Sequence, residues 1–268
     1  MKDRTQILFV SHGGGPLPIL GDARHTEMIT CLTSLSQKMV RPTAIIVVSA
    51  HWEEDSVSIT SSAHPDLIYD YSGFPKEAYD IEYPCKGEPA LALKLKHALR
   101  QNGIDCRLDS QRGFDHGLFI PLKIMYPEAD IPCVQVSLVN TLSPRDHIDI
   151  GRSLQNLEYE NLMLIGSGFS FHNLRAFFSP ETNDARAHNE SFEQWLIDTC
   201  ADSSLNEPER EKRLVEWEQQ APFSRFCHPR EEHLLPLHVC YGYAGAACNE
   251  HFRLQILGKK SSMYLWRK

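Results

Sequence analysis

Short apolar runs alternate along this chain with longer segments in which apolar residues recur every three or four positions. The segment Ile45–Trp52 begins with an unbroken β-branched run, and Gln6–Val10 and Asn161–Ile165 are apolar after their first residue. Such short runs predict strands that are buried on both faces of a parallel sheet. Between the first two runs, apolar residues at helical spacing predict a helix over Asp22–Lys38. A strand, a helix and a strand in this order predict a right-handed crossover between parallel strands.

The same patterns continue over the rest of the chain. Further strands are predicted at Val57–Thr60, Asp105–Leu108, Val134–Leu138, Phe252–Ile256 and Met263–Trp266. Helices are predicted at Glu88–Asn102, an amphipathic Leu118–Met125, Arg145–Asn156, Ala185–Cys200, Glu207–Gln220 and Arg230–Tyr243. The segment Ala63–Gly87 is rich in Pro, Gly, Tyr and Asp and predicts an ordered loop that forms a lid or a binding wall. The alternation predicts an α/β fold: a single domain over residues 1–268, with a central, mostly parallel sheet flanked by helices.

Composition and charge narrow the class of protein. The net charge of −8 argues against a nucleic-acid partner, because phosphate contacts require clustered Lys and Arg. No stretch approaches the roughly 18 apolar residues of a membrane span, and the start of the chain has no signal-peptide pattern, so we expect a cytoplasmic protein without a membrane partner. The eight cysteines include no C-x-x-C pair, which predicts buried free thiols.

The thirteen histidines carry the candidate chemistry. Eight are expected to be surface or loop residues: His25, His64, His97, His147, His188, His228, His238 and His251. The other five lie after predicted strands, in glycine-rich turns or beside acidic residues: His12, His51, His116, His172 and His233. Imidazole is a common ligand of zinc and ferrous iron, and the carboxyl ends of parallel strands share one edge of a sheet. A metal site at that edge is therefore a hypothesis, although no short H-x-x-x-H spacing makes it evident.

Five motifs in register resemble one known family. They are Ser11-His12-Gly13-Gly14-Gly15-Pro16, Ser49-Ala50-His51-Trp52, Gly113-Phe114-Asp115-His116-Gly117, Gly166-Ser167-Gly168 with His172-Asn173, and Glu232-His233-Leu234-Leu235-Pro236-Leu237. This set, which extends from residue 6 to about residue 245, resembles the class III extradiol aromatic-ring-opening dioxygenases, in the branch of the DOPA 4,5-dioxygenases. Each motif is weak alone, and the specificity comes from their common order along the chain.

The resemblance implies a role for each of the five histidines. His12, His51 and His233 resemble the metal ligands, and His172 resembles a further ligand or the acid/base beside the metal. His116 resembles a catalytic, substrate-side residue. The implied reaction opens a catechol ring, such as that of DOPA, with O₂ to a muconate-semialdehyde-type product. The implied metal is Fe²⁺ for turnover, with Zn²⁺ expected in purified protein, because zinc suits a histidine site but has no redox chemistry.

Several alternatives remain open at this stage. Glu232 is the neighbouring choice for the third ligand, in place of His233. Trp52 and Phe74, with Tyr71 and Tyr83, are predicted substrate walls, or else simple core packing. The main alternative function is a zinc-dependent hydrolase on the same fold, and another is a non-catalytic scaffold. The expected partners are a small catechol and O₂, and no oligomeric state is predicted.

Overall fold

One sheet of eight strands runs through the computed structural model, which describes residues 5–268. The strands are β1 (Gln6–Ser11), β2 (Ala44–Glu54), β3 (Val57–Thr60), β4 (Cys106–Asp109), β5 (Cys133–Val139), β6 (Leu162–Gly168), β7 (Glu250–Ile256) and β8 (Lys259–Arg267). Their spatial order is β4-β3-β5-β2-β6-β1-β8-β7. Every strand predicted from the sequence is present, and the prediction of an α/β domain is confirmed.

The central strands are parallel. β6 lies between β1 and β2 and is parallel to both, and β5 continues the parallel set on the far side of β2. β8 pairs antiparallel with β1 and with β7, and β3 meets β5 in an antiparallel bridge. β1 and β6 are buried along their whole length, as expected for strands that are covered on both faces.

Ten helices are described within residues 5–268. They are α1 (Thr26–Lys38), α2 (Pro89–Gln101), α3 (His116–Met125), α4 (Pro144–Ser153), α5 (Leu174–Phe178), α6 (Asn183–Ala201), α7 (Glu207–Val215), α8 (Trp217–Gln220), α9 (Ser224–Cys227) and α10 (Leu235–Ala244). Four of them, α2, α4, α7 and α10, have proline in the first turn, where no backbone N–H is required. Short 3-10 helices occur at Ala23–His25 and Lys76–Tyr79.

Three helix predictions are corrected by the structure. The segment predicted to be amphipathic, α3, is buried on almost every side, because it packs against α1, β2 and β6 and its Phe119 contacts the rings of Tyr69 and Tyr71. The helix predicted over Glu207–Gln220 is interrupted at Glu216. The helix predicted from Arg230 begins only at Leu235, where Pro236 fits the first turn, so His233 lies in the preceding turn.

Residues 5–268 contain free cysteines and lack a membrane-spanning helix. All eight cysteines are free, and seven of them are buried, while Cys31 is half-buried. No helix in this part of the chain has the length and apolar character needed to span a bilayer. The first four residues, which belong to the start where no signal peptide was expected, lie outside the described residues.

Of the eight histidines expected to be surface or loop residues, four are buried: His25, His147, His228 and His238. Each of the four makes at least one hydrogen bond with the backbone. At His147, Nδ1 donates to the carbonyl of Ser143 at 2.7 Å, while Nε2 accepts from the N–H of Val139 at 3.2 Å. A neutral ring satisfies both bonds, and burial lowers its pKa. These residues are part of the core rather than of a site.

His238 generates a prediction about stability and pH. Burial lowers its pKa from 6.5 to about 4, although the carbonyls of Leu214 and Leu234 favour the charged ring. The unfolded chain therefore binds the proton first as the pH falls below 6.5. The contribution of neutral His238 to the free energy of unfolding is fully present above pH 6.5. It declines as the pH falls toward 4, by up to about 3 kcal/mol. Urea unfolding at pH 7.5 and pH 5 measures the decline.

The matched variants are His238→Gln and His64→Gln. His64 is exposed, so its replacement should leave the pH dependence of the unfolding free energy unchanged. His238→Gln removes the buried titrating group and should make that dependence shallower, whatever its effect on absolute stability. An equal pH dependence in wild type and His238→Gln would contradict this explanation.

Candidate metal centre

The centre begins at the carboxyl edge of the three adjacent strands β1, β6 and β2. In the register of the sheet, Ser11 lies beside Gly168 and Ser49 lies beside Ser167, so these three strands end at nearly the same level. His12 follows β1 directly. His51 was expected just past the end of its strand, but β2 continues to Glu54, and its pairing with β5 is irregular between Val48 and Glu53. Such an irregularity re-aims side chains, which explains how His51 lies at the edge within a strand.

A tight glycine loop follows His12. Gly13 has φ +80, which favours glycine, and a side chain there would begin 2.8 Å from Cγ of Pro18 and 2.9 Å from Cδ2 of His25. The N–H of Gly14 donates to Nε2 of His25 at 3.1 Å. The buried imidazole of His25 therefore forms the floor beneath this loop.

His233 reaches the same edge from the turn before α10. Its backbone carbonyl accepts the N–H of Phe169 at 2.9 Å, directly after β6. A Cβ atom at Gly168 would lie 2.1 Å from that carbonyl oxygen, so only glycine permits this approach. The glycine after Ser167 thus has a packing reason, which is to bring the backbone of His233 against the end of the sheet.

The five histidines singled out from the sequence lie together. The ring centroid of His12 is 4.7 Å from that of His51, and their Nε2 atoms are 3.0 Å apart. The ring of His233 lies 5.2 Å from His12 and 5.0 Å from His51. The ring of His116 lies 5.2 Å from His12 and 4.0 Å from His51. His172 is stacked on His233, with centroids 3.4 Å apart and an angle of 15° between the planes.

Partners on Nδ1 set the orientation of the rings. Nδ1 of His12 lies 3.1 Å from Oγ of Ser167, the middle residue of the Gly-Ser-Gly segment of β6. Nδ1 of His116 lies 2.8 Å from Oδ1 of Asp70, and Nδ1 of His51 lies 3.5 Å from Oδ2 of the same carboxylate. With Nδ1 occupied in this way, Nε2 is the nitrogen that is left for a ligand.

A second carboxylate serves the other two rings. Oε1 of Glu232 lies 2.9 Å from Nδ1 of His233 and 3.2 Å from Nδ1 of His172. The turn that carries it is tied to β2, because Arg230 donates to both carboxylate oxygens of Glu53 at 2.5 and 2.6 Å. Glu232 thus contacts both rings at Nδ1, and the ring of His233 also lies close to those of His12 and His51.

Burial keeps the imidazoles of His12, His51 and His233 neutral. It lowers the pKa of His12 and His233 well below the usual value of 6.5, and the neighbouring rings lower it further. Burial also lowers the pKa of His51 to about 3, although the carboxylate of Asp70 opposes the shift. Burial raises the pKa of Asp70 and Glu232, but hydrogen bonds from the histidines outweigh it and the net shift is downward. The site therefore contains three neutral rings, those of His12, His51 and His233, beside the ionised carboxylates of Asp70 and Glu232.

This donor set fits a divalent metal ion. Neutral imidazole is the form that binds metals, and two nitrogens on one tetrahedral ion are about 3.4 Å apart, close to the Nε2 separation of His12 and His51. Two groups have ligand atoms within 4.8 Å of one another: His12, His51 and His116 in one, and His172, Glu232 and His233 in the other. The two groups are adjacent, because the ring of His233 lies close to those of His12 and His51. The assignment of individual ligands stays a prediction.

The comparison with protein families decides the identity. Residues 7–263 match the family described as the catalytic LigB subunit of aromatic ring-opening dioxygenase. The chain belongs to the LigB family. This confirms the resemblance to class III extradiol dioxygenases, and it makes the protein a metal-dependent, ring-cleaving oxidoreductase.

Relatives in several kingdoms support this membership. The chain is 38% identical to a protein of Hapsidospora irregularis named dioxygenase tasH, over 97% of this chain and 85% of the relative. It is 35% identical to proteins named 4,5-DOPA dioxygenase extradiol from Beta vulgaris, over 90% of this chain and 87% of the relative, and from Escherichia coli K12, over 87% and 83%. A crystal structure of an uncharacterized protein of Escherichia coli K12 matches with a TM-score of 0.72 and 28% identity, over 99% of this chain and 100% of the other.

Aromatic side chains line one side of the cluster of five histidines. The ring of Tyr71 lies 5.5 Å from that of His116 and 5.5 Å from that of Phe74, in both cases edge to face. The ring of Phe74 comes within 3.5 Å of the point where a side chain on Gly15 would begin. The loop after β3 and the glycine loop after β1 therefore meet beside the histidines.

The other two aromatic candidates have different surroundings. Trp52 is 2% exposed, its Nε1–H donates to Glu54 at 2.8 Å, and Arg112 covers its ring at 4.5 Å. Tyr83 is also 2% exposed and donates to the carbonyl of Tyr126 at 3.1 Å. Both residues are buried, which favours the core-packing alternative, and their assignment as substrate walls stays a prediction.

Sequence reasoning missed two partners of the dioxygenase site. Asp70 lies in the middle of the loop after β3, where no periodic pattern or motif singles out an acidic residue. Ser167 was noted only as a part of Gly-Ser-Gly, although the parallel register beside His12 could have suggested contact. Both act through Nδ1 of a histidine, a relation that only the fold creates.

Gly168 provides a prediction for this dioxygenase. Gly168→Ala should push the backbone of His233 away from β6, since the new Cβ would meet its carbonyl oxygen. We expect a loss of about 1–3 kcal/mol in the free energy of unfolding and at least a tenfold weaker binding of Zn²⁺. Urea unfolding and calorimetric titration measure the two effects.

The control is Gly73→Ala in the exposed loop. Gly73 also has a positive φ, of +80, but nothing lies within 4 Å of its added Cβ. Its replacement should cost stability through backbone strain and leave Zn²⁺ affinity unchanged. Equal metal affinity in Gly168→Ala and Gly73→Ala would contradict the role given to Gly168.

Proposed function

We propose that the protein is a ferrous-iron extradiol dioxygenase that opens the ring of a catechol such as DOPA to a muconate-semialdehyde-type product. The observation that carries the proposal is the convergence of neutral imidazoles at the sheet edge of a LigB-family chain, above all the Nε2 atoms of His12 and His51, 3.0 Å apart. The names of the relatives from Beta vulgaris and Escherichia coli support a DOPA-like substrate. The whole chain, residues 1–268, is proposed to act as one catalytic domain in the cytoplasm.

His12, His51 and His233 are the proposed metal ligands. Each has Nδ1 engaged by another side chain, so each presents Nε2. When bound, Fe²⁺ would supply the redox chemistry for O₂ and an anchor for the catechol oxygens. The same neutral set suits Zn²⁺, which we expect in protein purified without added iron.

His172 is proposed as the acid/base, in preference to a fourth ligand. Its ring is parallel to that of His233 at 3.4 Å, and two parallel rings cannot direct their Nε2 lone pairs at one ion. Its Nδ1 is held by Glu232 at 3.2 Å, so Nε2 is the atom that would take a proton from a catechol hydroxyl and later return it. His172 is half-buried, with 19% of its side chain exposed, which allows contact with a bound substrate.

His116 and the aromatic residues are proposed to hold the substrate ring. His116 is buried, with Nδ1 tied to Asp70, and its ring lies edge to face with Tyr71. Phe74 continues this wall toward the glycine loop. A flat catechol would pack against these rings, and Nε2 of His116 would accept a hydrogen bond from one of its hydroxyl groups.

The reaction is tested by metal replacement. The protein is stripped with a chelator and loaded anaerobically with Fe²⁺ or with Zn²⁺, and then O₂ uptake and ring-cleavage absorbance are followed with DOPA and a panel of catechols. We expect O₂ uptake with Fe²⁺ alone, because zinc has no redox chemistry. No uptake with any catechol in the Fe²⁺ protein would refute the proposal. Hydrolysis supported by Zn²⁺ would favour the zinc-hydrolase alternative.

The division of labour among the histidines is tested by substitution. His12→Ala removes a ligand and should weaken metal binding by at least a hundredfold, with loss of activity. His172→Ala should leave metal content near wild type and lower kcat by 10²–10⁴, the usual contribution of a general acid/base. Metal content by mass spectrometry and steady-state kinetics separate the two results.

The control for both variants is His97→Ala, since His97 is exposed on α2, away from the cluster. It should retain metal and activity. If His172→Ala loses metal as fully as His12→Ala, His172 is a ligand and the acid/base assignment is wrong.

A further inference from the structure

Asp70 contacts two histidines of the metal centre, His51 and His116. It lies in the loop after β3, whose backbone pairs with the segment before α3: Ile68 donates to Phe114 and Phe114 donates to Asp66, both at 2.8 Å. This pairing carries Asp70 alongside His116. The backbone of Asp70 is exposed, but its side chain is turned inward and is only 19% exposed.

Each carboxylate oxygen of Asp70 has its own partner. Oδ1 accepts the backbone N–H of His116 at 3.1 Å and lies 2.8 Å from Nδ1 of the same residue. Oδ2 lies 3.5 Å from Nδ1 of His51. The backbone N–H of His116 can only donate and the oxygens of an ionised carboxylate can only accept, so Oδ1 accepts both bonds from His116. Nδ1 of His116 must then carry the proton.

The two rings that share Asp70 have different proposed roles. His51 is a proposed ligand and His116 a proposed substrate-side residue, and their centroids are 4.0 Å apart. A ring that donates from Nδ1 has its lone pair on Nε2. At His116 the hydrogen bond to Asp70 leaves the Nε2 lone pair directed away from the carboxylate, and at His51 the 3.5 Å contact with Oδ2 favours the same tautomer.

We propose that Asp70 is a positioning residue that holds His51 and His116 in the Nδ1–H tautomer, so that one presents Nε2 to the metal and the other to the catechol. This inference rests on the proposed function for the roles of the two rings. It also gives the loop a purpose, because Tyr71 follows Asp70 directly and lies edge to face with His116. The carboxylate thereby sets the ligand, the substrate-side imidazole and the aromatic wall in one arrangement.

The test compares Asp70→Asn with wild type and with Asp66→Asn. Asp66 is an exposed carboxylate in the same loop, so its variant removes the same charge without touching the histidines. We expect Asp70→Asn to weaken Zn²⁺ binding 10- to 100-fold, because its amide group places a donor where one ring needs an acceptor. With Fe²⁺, kcat for the catechol should fall at least tenfold, with a smaller change in KM. Asp66→Asn should match wild type in both measurements.

A tautomer measurement makes the test independent of activity. In zinc-loaded wild type with ¹⁵N-labelled histidine, long-range ¹H–¹⁵N spectra should show His51 and His116 protonated at Nδ1. An Nε2–H tautomer at His116 would overturn the proposal even if Asp70→Asn failed to fold. So would wild-type Zn²⁺ affinity together with wild-type kcat in Asp70→Asn.

The two proposals fail in distinguishable ways. If the Fe²⁺ wild type consumes no catechol, the proposed reaction is wrong, while Zn²⁺ affinity and the tautomers still report on Asp70. If wild type opens catechols and Asp70→Asn does so equally well with unchanged metal affinity, only the role of Asp70 is wrong.

Discussion

The structure depends on the parallel alignment of β6 between β1 and β2. This alignment brings Ser11, Ser49 and the Gly-Ser-Gly segment of β6 to one level, and it leaves His12 and His51 on either side of β6. Neither histidine could reach the other by local sequence, since 39 positions separate them. The sheet thus brings two histidines together, as a short H-x-x-x-H motif does in helical metal sites. Here the framework that holds them is buried and rigid.

Strand and helix patterns predict most of this framework, because buried β-branched runs and helical spacing depend on local sequence. They fail where tertiary packing decides. α3 is surrounded by other elements and has no exposed polar face, and α10 begins later than predicted because Pro236 fits its first turn. His51 lies within a strand rather than after it, since an irregular pairing with β5 is invisible in the sequence of β2 alone.

The candidate site could also be predicted only in part from the sequence. Five histidines could be singled out by their context, and the fold brings all five together. Their partners could not be found in this way. Asp70 is one of many acidic residues in an irregular loop, and the buried His147 and His238 look in sequence like any other histidine. The buried His147 and His238 have backbone partners on both ring nitrogens, whereas His12 and His233 have a hydroxyl or a carboxylate on Nδ1.

The position of the carboxylates has a consequence for substrate choice. Asp70 and Glu232 contact Nδ1 atoms, so negative charge lies behind the rings and the proposed ligands are neutral. A divalent cation held by neutral ligands keeps more of its charge toward the open side than one held by a carboxylate, and it therefore favours an anionic oxygen donor such as a deprotonated catechol hydroxyl. The same neutral set does not distinguish iron from zinc, since affinity follows donor type and metal availability. The contribution proposed for the chain itself is therefore to fix which nitrogen each ring presents and to supply a group that takes the proton of a bound catechol.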